Sequence, residues 1–540
     1  MPCMGPLHAA RATFMTARIL WRTICALEEI WPDSGVAALI GEEQIAIFRL
    51  GETEEVYALG NGDPFSQANV LARGITGDLG GEPVVASPVY KQHFRLRDGV
   101  CVEDAAVSVP IYPVRVYNGA VQLGVTVASA APAERRQRLV MIGNGMAGMR
   151  VIEDLLRIAP DAYDITIFGA EPHGNYNRIL LSPVLAGEKR FEDIVLHDLA
   201  WYARQGITLH TGDPVLSIDR IKRLVRTRDG VEAGYDRLLL ATGSTPNRLP
   251  IPGAELPGVI TFRDVADVDL MLDASRAKRH AVVIGAGLLG LEAANGLLQQ
   301  GMDVTVVHRS EVLMERQLDA YAASLLLRSL ESRGIRFMLG AKTVSVEGGE
   351  RATAVNFADG GSTPADLVVM TAGVTPNAAL AAAAGIQCGR GILVDDTMQT
   401  YDPRVYAVGE CVQHRNATYG LVAPLWEQAR VCAAHLAGFG HLRYTGSIVS
   451  TSLKVTGIEL FSGGNFSGGE GCEVLILRDP EAGIYKRIVL RDNRVCGVLL
   501  YGDARDGSWY LELMNDKRDV GPLRDRLLFG RAYADVQAAA

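Results

Sequence analysis

Arg138-Leu-Val-Met-Ile-Gly143-Asn-Gly145-Met-Ala-Gly148 carries a hydrophobic strand straight into a G-x-G-x-x-G turn. A helical stretch follows over residues 149–158, then a second strand over 164–168 and an acid, Glu171. Dinucleotide binding needs that order. Gly143 permits the tight turn, Gly145 lets a pyrophosphate approach the backbone, and Gly148 lets helix and strand pack closely. The helix N-terminus then faces the phosphates, and Glu171 is placed to accept from a ribose hydroxyl. A plain strand–turn–helix needs no such acid.

Working outward, a second copy lies at His280-Ala-Val-Val-Ile-Gly285-Ala-Gly287-Leu-Leu-Gly290-Leu-Glu292. Its second strand, 304–307, ends in His308-Arg309 rather than an acid. An acid there favours NAD by bonding the 2′-hydroxyl, whereas a cation can accept a 2′-phosphate. Arg309 reads first as a solvated loop charge, so the choice between NADH and NADPH stays open.

The rest of the chain bounds this reading. Its 540 residues suggest three or four domains, and 48% hydrophobic with 21% charged residues excludes a disordered or fibrous chain. The 58 glycines exceed the usual ~7% without a collagen period, as many strand-to-helix turns would require. A net charge of −9 argues against nucleic acid or an anionic membrane as partner. The eight cysteines, at 3, 25, 101, 388, 411, 432, 472 and 496, form no C-x-x-C pair, zinc ribbon or ferredoxin loop. Unpaired thiols suit a reducing cytoplasm. The most apolar run, 281–291, falls well short of the ~20 residues of a membrane span. Residues 1–18 read as a ragged leader without a signal-peptide core, with Met15 as an alternative start.

Residues 19–125 alternate short strands (36–40, 44–49, 55–59, 83–87, 114–117, 121–125) with Gly, Asp and Pro turns, which predicts a small all-β domain. A small, charged linker spans 126–137. Strand, glycine turn and helix then repeat, and short strands return at 473–477, 485–490 and 495–500 before a polar tail.

Two dinucleotide folds, one interrupting the other, resemble the FAD/NAD(P)-dependent disulfide-reductase-like flavoproteins. Tyr235-Asp-Arg-Leu-Leu-Leu-Ala-Thr242-Gly243 matches the exit from the FAD domain, and Val368-Val-Met-Thr-Ala-Gly373 its counterpart after the NAD domain. Thr400-Tyr-Asp-Pro-Arg-Val-Tyr-Ala-Val-Gly409-Glu410 matches the second FAD signature, whose acid binds the ribityl chain. The resemblance also implies that the helix beginning near Pro424 points its N-terminus at the flavin, stabilising negative charge there by roughly 0.3–1 kcal/mol. The expected architecture is an α/β two-dinucleotide-binding flavoprotein: an FAD domain at 138–255 and 378–447, an NAD(P) domain inserted at 256–377, and an α+β domain at 448–540.

Disulfide reductases carry a redox cysteine pair where this chain has Asn175-Tyr-Asn-Arg178-Ile-Leu-Leu-Ser182-Pro183, so no thiol relay is expected. That stretch, with Leu313-Met-Glu-Arg-Gln-Leu-Asp319 and Tyr406-Ala-Val-Gly-Glu-Cys-Val412, is similar to the flavoprotein part of bacterial assimilatory NAD(P)H nitrite reductases. The electron-transfer subunits of assimilatory nitrate reductase share it. By that resemblance Arg178 lies against FAD, and Ser182 stands where ferredoxin-reductase relatives commonly have lysine. Those relatives continue into iron–sulfur modules, and nothing before Ala540 supplies such cysteines. Residues 19–125 resemble the Rieske-like small subunit of the same enzyme. Asn61-Gly-Asp63 and Ser87-Pro-Val-Tyr90 stand where cluster ligands belong, and His93 reads as structural.

The expectation is thus an FAD- and NAD(P)H-dependent oxidoreductase without an iron–sulfur cluster of its own. Hydride would pass from nicotinamide to flavin, then single electrons to a nitrate or nitrite reductase catalytic subunit bearing metal centres. The alternative is a ferredoxin- or rubredoxin-type reductase. Neither reading needs an acid–base residue, and a homodimer is compatible with both.

Overall fold

The computed structural model describes residues 19–40, 43–126, 136–277, 279–440, 442–453 and 455–534. The leader at 1–18 and most of the linker expected at 126–137 lie outside the described residues. The chain divides into two compact units: Met1–Arg136 with two short pieces, 156–162 and 437–439, and the remainder.

The first unit is built of short antiparallel sheets. Ser34–Ile40, Glu43–Arg49 and Val56–Gly60 form one, and Ile75–Asp78, Pro83–Ala86 and His93–Arg95 another. Ile19–Ala26 and Val114–Tyr117 flank Ala120–Thr126 in a third. Alternation along Glu43–Arg49 explains the packing, because successive side chains face opposite sides of a strand. Ala46 and Phe48 join Leu59, Val85 and Phe94 in one core. Ile45 and Ile47 join Ala58, Val121 and Leu123 in another.

The second unit holds two parallel five-stranded sheets. In the first the order is Thr208–His210, Tyr163–Phe168, Gln137–Ile142, Arg237–Leu240 and Val405–Ala407. In the second it is Val259–Thr261, Leu367–Met370, His280–Ile284, Asp303–Val307 and Arg336–Met338. Both central strands are near-continuous buried hydrophobic runs, as a sheet covered on both faces requires. Each sheet carries a three-stranded antiparallel ribbon, 215–234 in one case and 343–364 in the other.

The chain crosses between these sheets twice, and the crossings pair with each other. Ser244–Pro246 and Val374–Pro376 form an antiparallel two-stranded ribbon. A C-terminal sheet in the order Ser450–Ser452, Leu460–Gly464, Arg494–Tyr501, Ile484–Arg491, Glu473–Asp479 closes the unit, with helix Gly507–Asn515 packed on it. Its Tyr485 and Leu499 share a core with Leu291 and Val304 of the second nucleotide sheet.

The first helix begins at Met146, three residues before the sequence suggested. It starts directly after Gly145 because Gly148 lies inside its first turn. A Cβ at Gly148 would meet Ala241 Cβ at 2.7 Å and Met141 Sδ at 2.8 Å, so only glycine allows this close packing on the strand.

Candidate functional site

Strands ending together leave their glycine turns at one edge of the sheets. Gly143 sits at φ +103°, with its amide donating to the Phe168 carbonyl at 2.8 Å. A Cβ there would run into the Ala241 carbonyl oxygen. Gly285 repeats the arrangement at φ +118°, with its amide on the Val307 carbonyl at 2.8 Å and Thr371 O 2.7 Å from where a Cβ would be. These φ values favour glycine. Gly145 and Gly287 differ: a Cβ on either would meet nothing within 4 Å. The middle glycine of each turn thus leaves open space where a ligand backbone group would approach, at the N-terminus of a helix (Met146–Ile158 and Leu288–Gln299).

Both turns open on one cavity of about 1230 Å³. That exceeds the ~300–1,000 Å³ typical of a single small-molecule site. Of the residues expected from sequence, Gly145, Arg178, Gly243, Gly409 and Glu410 line it on one side. Gly285, Gly287, Gly290, Glu292, His308, Arg309 and Gly373 line it on the other. Gly143, Gly148, Glu171, Thr242 and Pro424 stand outside the lining. Gly143 and Gly148 shape the turn, and Thr242 braces the crossing ribbon: its Oγ1 donates to the Asn377 carbonyl at 2.7 Å, and Asn377 Nδ2 returns a bond to the Thr242 carbonyl at 2.9 Å. Pro424 is buried in the first turn of helix Val422–Leu436, whose neighbours Leu421, Val422, Ala423 and Leu425 reach the cavity. The buried Gln428 ties this helix to the second signature by accepting the Gly409 amide at 2.9 Å.

Two acids of the first nucleotide fold are each engaged by an arginine. Glu171 ion-pairs with Arg178 and accepts the Tyr176 hydroxyl at 2.7 Å. Glu410 ion-pairs with Arg263 and accepts the Ser244 hydroxyl at 2.5 Å. Arg178 Nη1 also donates to the Arg263 carbonyl at 3.1 Å, joining the pairs. Burial opposes the Arg178 charge, but Tyr176 and Glu171 beside it hold its pKa above the ordinary value. Burial also pushes the Tyr176 hydroxyl up. Asp267 accepts the Arg263 amide at 2.7 Å and the Thr261 hydroxyl at 3.2 Å; burial, then the charge of Asp264, raises its carboxyl to about 6.

Sequence reasoning did not find Arg263, which comes from a loop 147 residues before Glu410. It also did not predict that Ser182 would donate to buried Glu292 at 2.6 Å, or that strand Ser450–Ser452 would line the cavity. No local spacing signals these contacts, because each joins segments far apart in the chain.

In the first unit Asn61, Asp63 and Ser87 are buried and form hydrogen-bonded loops. Ser87 Oγ donates to Asp63 Oδ2 at 2.6 Å, and Ser66 Oγ donates to the same oxygen at 2.9 Å. The Phe65 amide donates to Asp63 Oδ1 at 2.8 Å, and the Ala72 amide to Asn61 Oδ1 at 2.8 Å. Tyr90 is exposed, and His93 lies against Glu103 with Nδ1 2.5 Å from Oε1. Among the described residues no group of three or more His, Cys, Asp or Glu is arranged to hold a metal ion. Among them, too, no helix is long and apolar enough to cross a membrane.

Two parallel nucleotide sheets joined by a crossing ribbon and opening on one cavity define a two-dinucleotide oxidoreductase fold. The chain belongs to the pyridine nucleotide-disulphide oxidoreductase family, whose model matches residues 137–435. FAD and NAD(P)H fit that family, and the residues present fit them: two open middle glycines, two helix N-termini and a cavity broad enough to be shared. Residues 20–124 match a Rieske-like [2Fe-2S] domain and 450–518 a rubredoxin NAD+ reductase C-terminal domain. The chain is 50% identical over 385 residues to nitrite reductase [NAD(P)H] of Bacillus subtilis (strain 168), covering 71% of this chain and 48% of that protein. It is 46% identical over 394 residues to the assimilatory nitrate reductase electron transfer subunit of the same organism, covering 73% and 51%. It thus spans about half the length of these relatives. Among solved structures, a ferredoxin reductase from Rhodopseudomonas palustris superposes with a TM-score of 0.68 at 28% identity, covering 75% of this chain and 100% of that one.

Proposed function

We propose that the chain is an NAD(P)H-dependent FAD oxidoreductase that delivers electrons to a separate assimilatory nitrate or nitrite reductase carrying metal centres. The observation that carries the reading is the single cavity onto which both glycine turns open. When bound, FAD would supply hydride acceptance from the nicotinamide and release of electrons onward. The chain's own part is binding and orientation. The amides of the Gly143–Gly148 turn would hold one pyrophosphate and those of the 285–290 turn the other. Glu171 and Glu410 would accept ribose and ribityl hydroxyls, each held in place by its arginine. The N-terminus of helix Val422–Leu436 would favour negative charge at the flavin edge.

The Rieske-like unit belongs to the same proposal, as a module without a cluster. The Asp63 carboxylate bonded to the Ser87 hydroxyl, with the Asn61 amide holding the Ala72 amide, cannot replace two thiolates and two imidazoles. The domain limits, the cytoplasmic location and a homodimeric assembly are proposed with it. A second reading, a ferredoxin- or rubredoxin-type reductase, is favoured by the C-terminal domain match and by the solved ferredoxin reductase.

The test starts from the purified protein, which should show a flavin spectrum that NAD(P)H bleaches anaerobically. Candidate nitrate and nitrite reductases are then added and coenzyme oxidation is followed. Acceleration by nitrate or nitrite supports the assimilation reading. Acceleration only through a ferredoxin or rubredoxin supports the second, and a colourless protein overturns both.

A further inference from the structure

No two cysteines lie close in the sequence, but the C-terminal sheet brings two of them together. Cys472 directly precedes strand Glu473–Asp479, and Cys496 lies in strand Arg494–Tyr501. Ile484–Arg491 runs between those strands, so regular pairing would hold the two cysteines apart. The pairing is not regular there. Leu490 is opposite Val495 and Val489 is opposite Gly497, which leaves Cys496 as the extra residue of a bulge. Its Sγ donates to the Val489 carbonyl at 3.4 Å.

The stretch 465–472 folds back over the same spot. The Asn465 amide donates to the Cys496 carbonyl at 2.8 Å, and the Cys472 amide donates to the Gly469 carbonyl at 3.1 Å. A Cβ on Gly468 would touch Val489 Cγ1 at 3.5 Å and Cys472 Cβ at 3.7 Å. The Cys472 and Cys496 thiols end in hydrogen-bond contact with each other. Both residues are half-buried, within reach of a small solute, whereas Cys101, Cys411 and Cys432 are buried.

The two sulfurs are not equivalent. Arg491 Nη2 donates to Cys472 Sγ at 3.4 Å and to the Glu470 carbonyl at 3.2 Å. Asp492 is the acid near Arg491, and Glu473, beside Cys472, is ion-paired with Arg524. The guanidinium is thus placed to hold the charge of a thiolate formed at Cys472. Burial, then the Cys472 thiol beside it, pushes the Cys496 thiol above its ordinary range.

We infer that Cys472 and Cys496 form a peroxide-reactive pair that closes reversibly into a disulfide. The Cys472 thiolate attacks one oxygen of hydrogen peroxide; the O–O bond breaks, the sulfur becomes a sulfenic acid, and the other oxygen leaves as water after taking a proton. The Cys496 sulfur then displaces the sulfenic oxygen, giving up its proton as a second water leaves. Two thiols and one peroxide yield one disulfide and two waters. A dithiol reverses the step by exchange and is itself oxidised. The sulfurs need to close only from hydrogen-bond contact to the ~2.05 Å of an S–S bond. Glycines at 468, 469 and 471 leave the stretch before Cys472 with few side chains to move. The bond ties stretch 465–472 to strand Arg494–Tyr501. Neither flavin nor coenzyme takes part, so this site is independent of the reductase reading.

The purified full-length flavoprotein, fully reduced and freed of reductant, is treated with equimolar hydrogen peroxide, alkylated and digested with trypsin for mass spectrometry. Trypsin cuts between the two cysteines, so a disulfide appears as two joined peptides. Peptides carrying Cys472 and Cys496 should be joined, with two fewer alkylatable thiols per chain, and dithiothreitol should restore both. Cys496→Ser should leave Cys472 as a sulfenic acid that dimedone traps. Cys472→Ser should leave Cys496 alkylatable and slow peroxide consumption by roughly tenfold or more. Arg491→Gln, at an exposed position, should slow bond formation several-fold. Unchanged flavin content and melting temperature confirm that each variant is folded. Separately alkylated Cys472 and Cys496 after peroxide, or a bond only between different chains, overturns the inference. So does a Cys472→Ser variant that reacts as fast as the wild type.

Discussion

The nucleotide-binding unit and the Rieske-like unit each match a family defined by what it binds, but their loops are held in different ways. Around Gly143 and Gly285 every special position is filled by the residue its geometry needs: a left-handed turn, an open middle position and a tight helix contact. Around Asp63 and Ser87 the loops hold their shape by hydrogen bonds among side chains that are poor ligands for iron. On the cluster-free reading proposed above, a polar network takes over the work of holding the loops together. Backbone-coded sites do not lend themselves to this, because turn and ligand cradle are the same atoms.

The largest test of this contrast is Gly143→Ala. The substitution forces a Cβ onto the Ala241 carbonyl at a φ that L-residues rarely adopt, at a cost of about 3 kcal/mol or more. The variant should purify with less than roughly a tenth of the wild-type flavin content by absorbance. Full flavin content would break the reading of the turn. Gly285→Ala should keep the flavin and lose its bleaching by NAD(P)H, which separates the two turns.

Asp63→Ala comes next. It leaves the Ser87 and Ser66 hydroxyls and the Phe65 amide without their shared acceptor, and Ser87 is fully buried. A loss of about 3 kcal/mol is expected, from hydrogen bonds of roughly 1.5–3 kcal/mol each to a charged group. Chemical denaturation followed by fluorescence measures it, and flavin content and bleaching should be unaffected. Anaerobic reconstitution with iron and sulfide should yield no [2Fe–2S] absorbance from the wild-type chain. A cluster spectrum would erase the contrast.

A smaller effect is expected at Glu410→Gln. Flavin affinity should fall by roughly 10-fold as Arg263 loses its ionic partner and the acceptor loses its charge. Flavin dissociation followed by fluorescence reads it.

These sites were unequally legible in the sequence. Gly143, Gly145 and Gly148 announce themselves because backbone strain and close packing admit one residue type at fixed spacing. The two parallel sheets follow from the hydrophobic runs before each turn and the two crossings from the matched Thr242-Gly243 and Ala372-Gly373 exits, but their pairing into a ribbon was not legible. Arg263 was illegible because an arginine after a strand is ordinary until the fold brings it to Glu410, 147 residues away. Ser182 and Glu292, 110 residues apart, were illegible for the same reason. Arg309 was legible as a cation after the second strand, a loop charge or a partner for a 2′-phosphate, but only the loop pairing at Ser310 and Gly340 brings Lys342 near it.

The finest test sets one acid of each unit against the other. In the Rieske-like unit, burial acts to raise the Asp63 carboxyl, but the hydroxyl and amide donors of Ser87, Phe65 and Ser66 outweigh it and hold the pKa below its ordinary 3.8. The folded state therefore releases this proton more readily than the unfolded state. Its stabilisation is present above pH 3.8 and is lost as pH falls through the lower folded value. In the nucleotide-binding unit, burial and Asp264 raise Asp267 to about 6, so the folded state holds that proton more tightly. Stability falls as pH rises from 3.8 towards 6 and is level above. Asp267→Asn, which mimics the protonated acid, should flatten the pH 4–6 slope and leave the acid limb in place. Asp63→Asn should do the reverse, weakening the protein at neutral pH and softening the acid limb. Thermal unfolding across pH 3–8 for the wild type and both variants reads the two slopes separately. A single slope shared by both variants would show that these acids do not distinguish the two units.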